Sequence, residues 1–192
     1  ISTSTYGQGS AGFIQINETD SINISGYAKG ENNEPISDSN VIYDNQGNVI
    51  YSENKLASSS SRIESNVESG AEGNAGNIKI DLNAGSLSLT NGGLINASTY
   101  GIGKAGAIDI TANDITIDQS GVGNVVGETA TGMGNNITIK TSNLTLKNGG
   151  EINANTFGKG DAGNIDITAI GGQGVNISNK GFISSSVLYG GT

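Results

Sequence analysis

The chain has 192 residues, of which 34% are hydrophobic, 31 are glycine and none is cysteine, histidine or tryptophan. Those absences exclude disulfide staples, Cys or His metal sites and catalysis by a histidine base. Eighteen acidic residues against nine basic give a net charge of -9, which repels nucleic acid and anionic membrane surfaces.

In chain order, apolar residues fall in short clusters of period two. The first unit carries Ile1, then Ile14 and Ile16, then Ile22 and Ile24. Residues 27 to 62 interrupt the pattern and read as an insertion. Within it, "VIYDNQGNVIY" (41 to 51) alternates around Asn45-Gln46-Gly47-Asn48, the signal of a β-hairpin. Tyr43 and Tyr51 make that hairpin the candidate interaction surface, set off an otherwise polar rod.

From Ile63 onward the pattern becomes regular. Ile63 is followed by Ile78/Ile80 and Leu87/Leu89, and Ile95 by Ile108/Ile110 and Ile115/Ile117. A further unit supplies Ile137/Ile139 and Leu144/Leu146; the next supplies Ile152, Ile165/Ile167 and Val175/Ile177, and Ile183 opens another. The separations from Ile14 to Ile78, Ile108, Ile137 and Ile165 are 64, 30, 29 and 28 residues, a repeat of supersecondary size.

Alternation of Ile with Lys79, Asp109, Thr138 and Asp166 means strands with one buried face. The fold class that follows is all-β: a single-stranded parallel β-helix or solenoid, with about 30 residues and three short strands per coil. An antiparallel sandwich would need hairpin turns and dissimilar neighbouring strands, whereas neighbours here are alike. One coil buries too few aliphatic side chains to offset the ordering of its own backbone, so coils must stack.

Positions that drift little between units name the corner. Gly12, Gly76, Gly106 and Gly163 precede the second strand, with further glycines shortly before each of them. They are expected to take positive φ or to let backbones pass closely. Tyr6, Tyr100 and Phe157, with Leu188 in the last unit, are expected to stack as an aromatic ladder near the corner. The unit containing "ETATGMGNNITI" lacks the aromatic and has Met133-Gly134-Asn135 where others have Ala-Gly, so a distorted corner is expected there.

The stretch "GNAGNIKIDLNAGSLSLTNGGLINASTYGIGKAGAIDIT" resembles the repeats of filamentous-haemagglutinin-like exoproteins, especially the large cyanobacterial ones. The likeness spans most of the chain. It implies a right-handed β-helix that is secreted through an outer-membrane partner and displayed at, or released from, the cell surface as an adhesin or extracellular filament. Host-cell, neighbouring-cell or surface-glycan ligands are the partners it implies. The family's export motifs are missing, and the first and last ten residues align, "ISTSTYGQGS" with "ISSSVLYGGT", so end-to-end self-association is a further expectation.

Outward carboxylates offer the only route to chemistry. Asp109 and Asp166 share a column, with Asp114 and Asp118 one strand on, but Thr138 interrupts the column and no cationic cluster accompanies it. Solvated strand faces are the better reading. "GGQGVNISN" (171 to 179) is similar to one calcium-binding nonapeptide, yet has Asn176 where Asp is needed and stands alone. The Asn-x-Ser/Thr sequences at Asn96, Asn136 and Asn143 read as polar ladders, and charged interruptions spoil any flat threonine array for ice. No catalytic, cofactor-binding or metal-binding residue is assigned, and neither an enzyme nor membrane insertion is expected.

Overall fold

The computed structural model describes residues 1–17, 20–25, 37–43, 49–56 and 61–188. It is all-β: β1 (Ile14–Asn17), β2 (Ser21–Ser25), β3 (Ser37–Tyr43), β4 (Val49–Leu56), β5 (Arg62–Glu64), β6 (Ile78–Asp81), β7 (Ser86–Thr90) and β8 (Leu94–Asn96). There follow β9 (Ile108–Thr111), β10 (Asp114–Asp118), β11 (Gly121–Gly123), β12 (Ile137–Lys147), β13 (Glu151–Asn153), β14 (Ile165–Ile177) and β15 (Phe182–Ser184). No helix occurs among the described residues.

The chain winds as a parallel β-solenoid with a spacing of about 30 residues per coil. Sheet order shows it directly. The first strands of successive coils pair as β5-β8-β11-β13-β15. The second strands stack as β1-β6-β9-β12 and the third as β2-β7-β10-β12, with β14 pairing along β12. Every pairing among these strands is parallel. Adjacent coils therefore sit about 4.8 Å apart along the axis.

Like residues lie over like residues. Ile14 pairs with Ile78, Ile78 with Ile108, Ile108 with Ile137 and Ile137 with Ile165. Ile16, Ile80, Ile110, Ile139 and Ile167 form the parallel column two residues on. The six isoleucines of the middle coils, Ile78, Ile80, Ile108, Ile110, Ile137 and Ile139, are fully buried; Ile14 is buried, while Ile16, Ile165 and Ile167 pack against the same core half-buried. A third-strand column runs Ile22, Leu87, Ile115, Leu144, Val175. Burying such columns removes apolar surface from water at about 25 cal/mol per Å2, and each coil covers the next.

Three features differ from what periodicity alone conveys. The fourth coil has a first strand, β11, whose Val122 fills the column between Ile95 and Ile152; the sequence "GVG" shows no alternation to reveal it. Second and third strands merge in two coils, because β12 and β14 each continue through the corner. β14 also carries a local irregularity, its register against β12 shifting after Thr141↔Ala169 and resuming at Asn143↔Gly174.

The hairpin is an antiparallel pair, β3 with β4, in a two-stranded sheet of its own. It extends beyond 41–51 at both ends, to Ser37 and Leu56. In the backbone register Ile42 faces Tyr51 and Tyr43 faces Val49. The turn at 44–48, the flanking stretches at 26–36 and 57–60, and the side chains of Tyr43 and Tyr51 lie outside the described residues.

Candidate functional site

The corner between first and second strands is built by backbone contact. Single parallel bridges link Thr5, Val67, Thr99, Val126, Thr156 and Val187 in one column, and Gln8, Glu72, Ile102, Thr131 and Lys159 in the next. Beyond them the glycine column begins. A Cβ at Gly76 would lie 1.9 Å from the Gly12 carbonyl oxygen, one at Gly106 2.1 Å from that of Gly76, and one at Gly163 1.9 Å from that of Asn135. Close approach, rather than positive φ, is what these three require; Gly12, at the outer coil, meets nothing nearer than Thr3 at 3.3 Å. Positive φ appears three residues earlier, for example at Gly103, where it is 139°.

The fourth coil inverts this arrangement. Its backbone bonds place Gly134 at the level of Ala105 and Asn135 at that of Gly106. Asn124 rises to meet the change: fully buried, it donates from Nδ2 to the carbonyl oxygens of Asn135 (2.6 Å) and Gly106 (3.2 Å). Its Oδ1 has no partner among the described residues. The expected distortion is thus an exchange of glycine and side chain between two neighbouring columns, held by an internal amide.

Buried polar side chains bond from coil to coil at the turns. Asn66 Oδ1 accepts from the Ser98 amide, Ser98 Oγ from that of Val125, and Asn155 Oδ1 from that of Ser186. The outward carboxylates join similar ladders. Asp114 accepts from Asn113 Nδ2 at 2.7 Å and Asn143 Nδ2 at 2.6 Å. Asp118 accepts from Asn148 at 2.8 Å and lies 3.4 Å from Lys147 Nζ. Asp109 and Asp166 are exposed on either side of Thr138. Asn143 Oδ1 also accepts the Gln173 amide at 2.5 Å, which seats "GGQG" as a bulge on the coil below. Among the described residues, no group of three or more acidic side chains converges as a metal site would require.

The aromatic residues do not form consecutive rungs, which corrects the ladder expected of them. Glu68, Tyr100, Gly127, Phe157 and Leu188 each donate their amide to the carbonyl of Thr5, Val67, Thr99, Val126 and Thr156 respectively. The column therefore reads Tyr6, Glu68, Tyr100, Gly127, Phe157, Leu188, with an aromatic in every second coil. Aligning on the aromatic alone skips the intervening coils. Tyr6 is 77% exposed, whereas Tyr100 and Phe157 are half-buried.

Between Tyr100 and Phe157 the outer face of coil four is almost bare. Its outward positions are Gly121, Gly123, Val125 and Gly127. The neighbouring coils lean in over this strip: Leu94 Cδ2 and Glu151 Oε1 each lie 3.3 Å from where a Gly121 Cβ would stand, and Tyr100 Cδ1 lies 2.7 Å from that of Gly127. At Gly123 the nearest atoms are at ordinary contact distance. The glycine strip is thus covered by side chains of the coils on either side, with Asn96 and Asn153 the register partners of Gly123.

Glu151 is the group whose environment departs most from water. Burial against its neighbours pushes its carboxyl above the usual value, because desolvation disfavours the charged form. The flanking amides are partly engaged. Asn96 Nδ2 donates to the Tyr100 hydroxyl at 3.4 Å, and Asn153 Oδ1 accepts the Asn155 amide at 2.9 Å. The comparisons with family models, curated proteins and solved structures find no match. This packing was not legible in the sequence, because the glycines of "GVGNVVG" make room for Leu94, Tyr100 and Glu151 only once the coils on either side are in register.

Proposed function

We propose that the chain is a structural and adhesive segment of a secreted or cell-surface exoprotein, similar to the filamentous-haemagglutinin-like repeats, giving a stiff rod for attachment, aggregation or fibre formation. The observation that carries this reading is the parallel stacking of like aliphatic positions from coil to coil. Inward positions stay aliphatic, while the outward ones change freely, as Lys79, Asp109, Thr138 and Asp166 do in one column. Such a design couples a fixed scaffold to a variable surface, which is what reach and display demand. Val175 and Ile177 on the outermost strand are 45% and 47% exposed, and a further coil, of this chain or another, would continue their columns.

The reading is non-enzymatic, with export through an outer-membrane partner and a ligand on cells or surface glycans. A glycan-binding role is the second reading, favoured by Tyr6, Tyr100 and Phe157 on one outer column. Negative-stain microscopy joined to a bead assay tests the proposal. Stiff thin rods, and coated beads that are retained on cell or glycan surfaces, are expected. Irregular particles with no retention, or release of new sugar ends from polysaccharide, would contradict it.

A further inference from the structure

We propose that Asn91 is a site of spontaneous covalent modification, where its side chain closes on the Gly92 amide and opens to aspartate or isoaspartate. The matching sequence at Asn148 is held unreactive by the coils on either side of it. The inference goes beyond the display reading and does not depend on it.

The corner between third and first strands turns through left-handed backbone in four successive coils. There φ is 51° at Asn91, 50° at Gln119, 52° at Asn148 and 46° at Asn179. Asparagine tolerates this conformation because its short amide bonds locally. Backbone bonds stack these corners on one another: Gly92 donates its amide to the Gln119 carbonyl at 2.8 Å, and Gly149 to that of Asn179 at 3.1 Å. Serine follows Gln119 and lysine follows Asn179; in the whole chain, Asn91 and Asn148 alone precede a glycine.

Glycine is what the reaction needs at that place, since no Cβ shields its amide nitrogen. The nitrogen attacks Cγ of the preceding side chain. The new N–C bond forms as the Cγ–Nδ2 bond breaks, and the amide proton departs with the ammonia. Water then opens the five-membered imide at either carbonyl, giving aspartate or its β-linked isomer. Water is the one co-reactant.

What holds the side chain separates the two sites. Asn148 is tied at both ends: Nδ2 donates to Asp118 Oδ1 at 2.8 Å, and Oδ1 accepts from Asn179 Nδ2. Asn91 is exposed and makes no side-chain hydrogen bond among the described residues. To bring Cγ onto the glycine nitrogen, Asn91 must leave its left-handed conformation and Gly92 must release its bond to Gln119. Asn148 must break two side-chain bonds as well. The fold therefore slows both sites and slows Asn148 more.

The product alters the corner. Asn91 and Gly92 donate their amides to the carbonyls of Asp118 and Gln119 in the next coil. Isoaspartate lengthens the backbone between those two amides by one carbon, so both bonds cannot keep their places. Conversion loosens this corner with the age of the protein.

Peptide mapping by mass spectrometry, with an isoaspartate methyltransferase to label the β-linked product, tests the proposal on the purified chain kept warm at mildly alkaline pH. Asn91 should convert at least about tenfold faster than Asn148 in the folded chain. In urea the two should react alike and faster. Asp118→Ala frees Asn148 Nδ2 and should speed conversion there by at least about threefold, with urea melts confirming a folded chain. Aged protein enriched in the Asn91 product should melt at lower urea than fresh protein. An Asn91 that stays intact, an Asn148 that reacts as fast when folded, or an Asn148 rate unmoved by Asp118→Ala would overturn the assignment.

Discussion

Gly106 lies directly against Gly76 of the coil below, so close that a Cβ on Gly106 would stand 2.1 Å from the Gly76 carbonyl oxygen. The contact explains why the corner keeps glycine while its polar neighbours vary. It also sets the first prediction. Gly106→Val forces two coils apart and should cost about 1 to 3 kcal/mol or more in urea melts. Asp109→Asn, three residues on and exposed, should stay within about 0.5 kcal/mol. Equal effects would refute the corner contact.

The core columns make a second prediction. Ile110 is buried between Ile80 and Ile139, and Ile110→Ala leaves a cavity that the coils above and below cannot close. A loss of about 2 to 5 kcal/mol is expected. Ile170, 73% exposed, serves as the control, and Ile170→Ala should shift the urea midpoint little.

In the fourth coil, Asn124 and the exchanged pair Gly134-Asn135 set the corner apart from the others. Asn124→Ala removes the donor to the Asn135 and Gly106 carbonyls and should cost about 1 to 3 kcal/mol. Gly134→Ala would set a Cβ 2.3 Å from the Gly163 backbone nitrogen and should cost at least about 1 kcal/mol. A Gly134→Ala chain as stable as the parent in urea melts would contradict the exchange.

Glu151 predicts a pH dependence with a definite sign. Its carboxyl is raised by burial above the ordinary value of 4.5, so the folded chain holds that proton more tightly than the unfolded chain. The resulting stabilisation is complete below the ordinary value and is lost as pH rises through the raised one. Glu151→Gln keeps the shape without the charge. It should be the more stable form near pH 7, and its advantage should vanish as pH falls below about 4.5. Melts of both proteins from about pH 3.5 to about pH 8 measure the gap; a gap that widens toward acid would have the wrong sign.

Much of the fold was legible because a solenoid writes its architecture into the sequence more than once. Ile78, Ile108, Ile137 and Ile165 announced the second-strand column, and their alternation with polar residues gave the buried face. What escaped notice depended on relations between coils rather than within them. Val122 stands alone between two glycines, so its strand has no periodicity of its own and is defined by Ile95 and Ile152 on either side. The aromatics were placed on the right corner but in the wrong succession, since Glu68 and Gly127 share their column without sharing their chemistry. The covered glycine strip of coil four escaped for the same reason: bare glycines mark nothing until their neighbours' side chains are known.

Parallel, in-register winding is the claim on which the core and the corner both depend. Nuclear Overhauser contacts among selectively labelled isoleucine δ1 methyls test it most directly. The account predicts cross-peaks from Ile108 to both Ile78 and Ile137, with none linking Ile78 to Ile137 across the intervening coil. Missing Ile108 contacts, or strong inter-strand Hα–Hα peaks of the antiparallel kind between these segments, would contradict it.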